Sequence, residues 1–291
     1  MIEFVAEVSS NHDRNLSRSI DFIDAAANAG CSAVKFQLFK IDQLFSREIL
    51  DRSERHRNRK QWELPLEFVP QLAQRCREVG IDFSCTPFYL DAVSELEQYV
   101  TFYKIASYEL LWDVLLTACA RTGKPVILST GMATMDEIKH AVDVLRENGC
   151  FSPTLLHCTS AYPTPYQEAN LAAIETIRHA TGCEVGWSDH TVEPAVIYRA
   201  IHRWGAQVIE FHLDLDGKGE EFGAGHCWLP HQIGEVIREV NKGLEADGNG
   251  IKEPVSSELP DRLWRADPSD GLRPMKEIRA QWALQSQGDL A

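Results

Sequence analysis

No stretch of this 291-residue chain approaches the roughly 18 to 20 consecutive apolar residues that a membrane-spanning helix needs. Its start, MIEFVAEVSSN, has neither the basic segment nor the long apolar run of a secretory leader. A membrane partner is therefore not expected, and the chain reads as cytoplasmic. Basic charge is also in short supply: 29 Lys and Arg stand against 43 Asp and Glu, a formal net charge of −14. That balance excludes nucleic acid as a bulk partner, while leaving room for a local basic pocket that takes one small anion. The eight cysteines show no CxxC spacing, and several lie in apolar runs (FSCTPF, LLHCTS, LLTACA). Free thiols packed as small hydrophobes are expected there, rather than disulfides or a zinc knuckle. A glycine fingerprint is missing too: the first strand–helix turn reads Val8-Ser9-Ser10-Asn11-His12, which excludes dinucleotide binding at that turn.

What the chain does have is rhythm. With 44% hydrophobic and 25% charged residues it has the composition of a folded globular protein. Short β-branched or aromatic runs at 3–8, 33–38, 82–86, 102–105, 125–129, 154–158, 184–187 and 207–212 each precede an amphipathic, helix-like stretch. In the first of these stretches Leu16, Ile20, Ile23 and Ala27 share a face. Gly30, Gly80, Gly123, Gly149, Gly182 and Gly205 stand where a helix ends and the next strand begins. Eight βα units imply an α/β chain folded as a (β/α)8 TIM barrel, with an open doubly wound sheet as the weaker alternative. The barrel is expected to span residues 1–245, followed by a tail at 246–291, rich in Gly, Pro and charge, packed on it. Residues 41–64 read as a long irregular loop carrying Arg47, Arg52, Arg55, Arg57, Arg59 and Lys60, either solvated or functional.

Barrels of this kind place their chemistry at the C-terminal ends of the strands. Those ends here are Glu7; Lys35 and Gln37; Thr86; Lys104, Ser107 and Glu109; Ser129 and Thr130; His157; Ser188, Asp189 and His190; and Glu210 and His212. Two inward lysines, Lys35 and Lys104, are costly to bury without an anion, so a phosphate or carboxylate is expected to meet them. Thr86, Ser107, Ser129 and the backbone of Ser129-Thr130-Gly131-Met132 supply neutral donors. The bland alternative is a pair of internal ion pairs, Lys35 with Glu7 and Lys104 with Glu109. His190 and His212 end neighbouring strands, so two imidazoles 22 residues apart converge. With help from Glu210 or His226 they suit Mn²⁺, Zn²⁺ or a related divalent ion acting as a Lewis acid. His12 and His157 are expected at the mouth, and His56, His140, His179, His202 and His231 on the surface. Glu109 is the leading acid/base or substrate-orienting carboxylate, with Glu7 its competitor, and a neighbouring lysine is expected to keep either one ionised. Tyr162, on a proline-stiffened loop, is either packing or a pocket wall.

The segments AEVSSNHDRNLSRSIDFIDAAANAGCSAVKFQ, SCTPF, YKIASYEL, TGKPVILSTGMATMDEI, LLHCTSAYPTPYQEANLAAI, GWSDHT and VIEFHLDLD follow one another in order. Together they resemble the N-acetylneuraminate synthase family of sialic-acid-type synthases, over about residues 1–230. The resemblance implies a barrel that condenses phosphoenolpyruvate with a sugar aldehyde, typically N-acetylmannosamine or a related hexose, to give a nonulosonic acid and phosphate. It implies that Lys35, Thr86, Lys104, Ser107 and Ser129 hold phosphoenolpyruvate, that Glu109 orients the sugar, and that Glu7, Gln37, Phe88, Tyr162 and Asp189 line the site. Glu109, Lys35 and Glu7 are then the catalytic candidates. His190 and His212 would bind the divalent metal, manganese first, with magnesium, cobalt or zinc as the other candidates.

Two departures accompany it. The segment GKGEEFGAGHCWLP keeps His226 but has Gly225 where the family pattern carries an aspartate. The sequence stops at Ala291, so the C-terminal antifreeze-like domain that the resemblance would add, reaching a neighbouring subunit's sugar site, is not expected here. Trp228, His231, the Arg-rich loop, Arg262, Arg265 and Arg273 are the candidates to replace that contact, and a homodimer would have to use the barrel or the loop. Two other readings stay open at this point: a Schiff-base aldolase with a lysine held neutral, and a non-catalytic sugar-binding or regulatory barrel.

Overall fold

A computed structural model describes residues 2–288; Met1 and the last three residues of the expected tail lie outside it. The eight expected strands are all present: β1 (Glu3–Glu7), β2 (Ala33–Leu38), β3 (Asp82–Pro87), β4 (Phe102–Ile105), β5 (Val126–Ser129), β6 (Thr154–His157), β7 (Glu184–Asp189) and β8 (Val208–Leu213). They run parallel in sequence order, and β1 pairs with β8 to close the barrel. A ninth, two-residue strand, β9 (Cys227–Trp228), which the periodicity did not reveal, adds in parallel to the end of β8.

Strand alternation builds the interior in layers. Val5, Ala33, Phe102, Ile127, Leu156 and Val208 form one buried apolar cluster. The residues two positions further along the same strands are Glu7, Lys35, Lys104, Ser129, Cys158 and Glu210, so one step up the barrel axis the lining changes from oil to polar groups. All six are buried. At β7 the inward position is Gly186, where an added Cβ would stand 2.2 Å from the Val208 carbonyl oxygen of β8. Gly186→Ala therefore forces two strands apart. It is expected to cost more than about 4 kcal/mol, the exceptional end of single substitutions, read as a loss of the denaturant midpoint.

The six helix-ending glycines all have positive φ, from 69° to 108°. Gly30, for one, ends the helix Leu16–Ala29 in the left-handed region, and its N–H closes on the carbonyls of Ala26 and Ala27. Residues 41–64 are not the irregular loop expected. They form three short helices, Ile41–Leu44, Arg47–Arg52 and Glu54–Asn58, and a 3-10 turn, Arg59–Trp62. Arg59 lies over the rings of Phe45 and Trp62, and Arg14 donates to the Lys60 carbonyl at 3.2 Å, so part of the basic charge is structural. All eight cysteines are free and buried, as their apolar surroundings indicated.

The chain divides into two compact units, Met1–Lys242 and Gly243–Ala291, three residues before the expected boundary. In the second, Asp267 accepts from the backbone of Ser269 and Lys276, and Trp264 meets Trp282 edge-on at 6.1 Å. Among the described residues no helix is long and apolar enough to cross a membrane.

Candidate active site

The polar layer is a charge cluster. Lys35 pairs with Glu7, lies 3.8 Å from Glu210 and 3.4 Å from the Thr86 hydroxyl; Lys104 stands 3.5 Å from Glu210. Of the two internal ion pairs offered as the bland alternative, Lys35–Glu7 is present, while Lys104 meets Glu210 rather than Glu109, because Glu210 projects from β8 between both lysines. Burial pulls the Lys35 ammonium down to about 8, with Glu210 opposing it and Lys104 reinforcing it. Burial works against the charge on Glu210 too, but Lys104 and Lys35 outweigh it and hold its carboxyl below the usual range. Glu7 also accepts from the Ser9 N–H at 2.9 Å and from Gln37 at 2.8 Å.

Beside the lysines lies a group of neutral donors. Ser107 Oγ accepts the Gly131 N–H at 3.0 Å and contacts Cys158 Sγ at 3.3 Å. A Cβ on Gly131 would come within 2.3 Å of Ser160 Oγ and 2.9 Å of Ser107 Oγ, so only glycine lets that backbone approach. The hydroxyls of Ser129 and Ser160 are buried without a hydrogen-bond partner, as is one carboxyl oxygen of Glu109. Glu109 ends the turn Ser107–Glu109 that follows β4. Burial raises its carboxyl to about 7, and Lys104 only partly opposes this. The expectation that a neighbouring lysine keeps it ionised is therefore corrected, since desolvation wins once the lysine's charge is shared with Glu210.

At the mouth, Tyr162 stands over three imidazoles, His190, His226 and His212, at 4.2, 5.2 and 5.8 Å between ring centres. The His190 and His212 rings are 5.5 Å apart. His190 donates Nδ1–H to the Thr159 carbonyl at 2.8 Å, which leaves Nε2 with a free lone pair; burial, helped by His212, brings its pKa to about 3, so the ring is neutral. His212 Nδ1 meets the Glu221 carboxylate at 2.8 Å. His212, Glu221, His226 and Cys227 form the group of potential ligands with donor atoms within 4.8 Å of one another, and His190 adjoins it across Tyr162.

Not every expected residue reaches the mouth. Asp189 faces away from it: fully buried, it accepts from the indoles of Trp187 and Trp228, from the Thr191 backbone and hydroxyl and from the Val192 backbone, because inward facing falls to its neighbours Ser188 and His190. Trp228 is buried against it rather than open to a sugar. His12 is enclosed beside Phe36, accepting the Arg14 N–H, and His157 faces Trp187 and bonds the Ala169 carbonyl. Phe88 is half-buried, edge-on to Phe39 at 6.1 Å. Four participants went unread as such: Glu210 as the shared counter-ion, Ser160, Glu221 and Cys227. Period-two counting from Leu156 would have found Ser160; Glu221 lies on a short helix, Glu220–Ala224, that no periodicity announces.

The profile of the NeuB family matches residues 22–252. The chain belongs to the NeuB family. An uncharacterized protein of Methanocaldococcus jannaschii is 37% identical over 261 residues, covering 87% of this chain and 74% of that one. The N,N'-diacetyllegionaminic acid synthase of Campylobacter jejuni is 33% identical over 268 residues, 87% and 80% of the two chains. The solved N-acetylneuraminic acid (sialic acid) synthetase of Leptospira borgpetersenii overlays with a TM-score of 0.78 at 31% identity, covering 89% and 90%. The chain is an enzyme of this synthase kind.

The donors present fit the divalent ion associated with the NeuB family. His190 and His212 each have Nδ1 engaged, by a carbonyl and a carboxylate, and each leaves Nε2 as a ligand nitrogen. His226 Nδ1 is buried without a partner. Gly225, in the aspartate's place, ends the Glu220–Ala224 helix at φ 96°. A side chain there would be strained, and the carboxylate near the imidazoles comes from Glu221 instead.

Proposed function

We propose that the barrel condenses phosphoenolpyruvate with a sugar aldehyde, an N-acetylmannosamine-like hexose, to give a nonulosonic acid and inorganic phosphate, with a divalent ion, manganese first, at His190 and His212. The observation that carries this reading is the meeting of two buried lysines with two unpartnered serine hydroxyls and the unpartnered oxygen of Glu109 at one end of the barrel. Lys35, Lys104, Thr86, Ser107 and Ser129 hold the phosphate and carboxylate of phosphoenolpyruvate, and Gly131 keeps the backbone close to them. Glu7 and Gln37 fix the Lys35 ammonium from behind. The C3 carbon attacks the aldehyde carbon, water adds at C2, and phosphate leaves by C–O cleavage. Glu109, its carboxyl raised by burial to about 7, hands a proton to the aldehyde oxygen as the C–C bond forms. A divalent ion, when bound, supplies Lewis-acid polarisation of that oxygen. The protein's share is positioning and charge stabilisation.

The Schiff-base alternative is not favoured: Lys35 pairs with one carboxylate and lies near a second, and both hold it as an ammonium. Borohydride with pyruvate is expected to leave the mass of the protein unchanged. The synthase reading is tested by incubating the protein with phosphoenolpyruvate, Mn²⁺ and a panel of sugar aldehydes, following phosphate and the α-keto acid. Aldehyde-dependent, EDTA-sensitive phosphate release is expected; phosphate release independent of any aldehyde, or silence across a panel that includes N-acetylmannosamine and the diacetamido-trideoxyhexoses, would sink it.

A further inference from the structure

Glu221 is the most heavily engaged side chain of the histidine cluster. Its Oε1 accepts from Ser9 Oγ at 2.5 Å and Ser10 Oγ at 3.1 Å, both on the loop after β1. Its Oε2 meets His212 Nδ1 at 2.8 Å, His226 Nε2 at 3.6 Å and Cys227 Sγ at 3.8 Å. The base of its short helix is equally fixed. Asp214, fully buried, accepts the N–H groups of Gly217 and Gly219, and Arg18 ties Asp214 to the Asn11 carbonyl.

Two roles fit a carboxylate among imidazoles: ligand, alongside His212 Nδ1, His226 and Cys227, or orienting acceptor. The hydrogen bonding favours the second. At 2.8 Å the His212 Nδ1 contact is an N–H···O hydrogen bond, shortened because the acceptor is charged, and the other carboxylate oxygen is held by Ser9 and Ser10.

We propose that Glu221 is a positioning residue for the metal: by taking the Nδ1–H of His212, it leaves His212 Nε2 and His190 Nε2 as the pair of imidazole nitrogens offered to a divalent cation. This rests on the metal-dependent reading given above. Removing such an acceptor leaves the ligand in place but frees its tautomer and ring angle, which typically costs ten- to a hundredfold in metal affinity.

The test is equilibrium binding of Mn²⁺ and Co²⁺ to chelator-stripped full-length protein, with the Co²⁺ absorption spectrum as a second readout. Wild type is expected to bind one ion per chain. Glu221→Ala should lower affinity by ten- to a hundredfold while the thermal midpoint of the metal-free protein stays within a few degrees, and Glu221→Gln, whose amide oxygen still accepts Nδ1–H, should recover most of it. If Glu221→Ala fails to fold, the double change Ser9→Ala, Ser10→Ala, which only loosens the carboxylate, should lower affinity in the same direction. Cys227→Ser should bind like wild type, and the Co²⁺ form should show no sulfur-to-metal charge-transfer band. Unchanged affinity in Glu221→Ala, or a charge-transfer band that Cys227→Ser abolishes, overturns the positioning role while leaving the metal in place. Failure of the wild type to bind either ion overturns the metal reading itself.

Discussion

Lys104→Met is expected to abolish phosphate release and to loosen the barrel, and the added change Glu210→Gln is expected to restore the fold without the activity. Lys104 is buried 3.5 Å from Glu210, which Lys35 also approaches, at 3.8 Å. Breaking a buried pair by removing one partner typically costs about 3–5 kcal/mol, since the survivor keeps its charge in a poor solvent. The residual contact with Lys35 places the loss at the lower end. Glu210→Gln removes the stranded charge, so the double variant should unfold near the wild-type denaturant midpoint. Activity does not return, because a group aimed at charge that develops in the transition state is worth a factor on the order of 10² to 10³. A double variant that turns over would remove Lys104 from the phosphoenolpyruvate site, and a single variant as stable as wild type would contradict the ion-pair geometry.

Glu109→Gln gives the second large effect, with opposite signs in rate and stability. A carboxyl raised to about 7 in the folded state, against an ordinary value of 4.5, binds its proton more tightly folded than unfolded. Its contribution to stability is fully present below about pH 4.5 and is lost as the pH rises through about 7. Over that window the wild type should lose about 3 kcal/mol relative to Glu109→Gln, at 1.36 kcal/mol per unit. Urea unfolding of both proteins at pH 4.5 and pH 8 measures this directly. In the assay the acid must carry its proton, so wild-type kcat/KM should fall above about pH 7. Glu109→Gln should lack that limb and turn over roughly 10² to 10⁴ times more slowly. An unaltered pH profile in the variant would take Glu109 out of proton transfer.

The fold was legible almost to the residue. Each of the eight strands stands where the β-branched runs lie, within one or two residues at either end, because a strand covered by helices on one side and barrel core on the other must be apolar throughout. The segment at 41–64 was misread because helices as short as Arg47–Arg52 contain too few turns for a hydrophobic stripe to show. That Glu210 serves both lysines is hidden in the sequence for a different reason. Glu109 is five residues away in sequence, while Glu210 is across the barrel, and only closure by the β1–β8 pairing brings β8 to face both lysines.

What the sequence by itself determined is the eight-stranded barrel and the polar residues at its strand ends, which follow from local periodicity, and the likeness to the family, which rests on the ordered run of motifs. What only the tertiary structure decided is how those residues are wired: Glu210 between two lysines, Glu109 desolvated until its carboxyl rises to about 7, Asp189 turned away to brace two tryptophans, and Glu221 brought to His212 by a short helix. Charge state and hydrogen-bond partnership depend on which groups meet across the closed barrel and on how much water is excluded there, and neither quantity has a period along the chain.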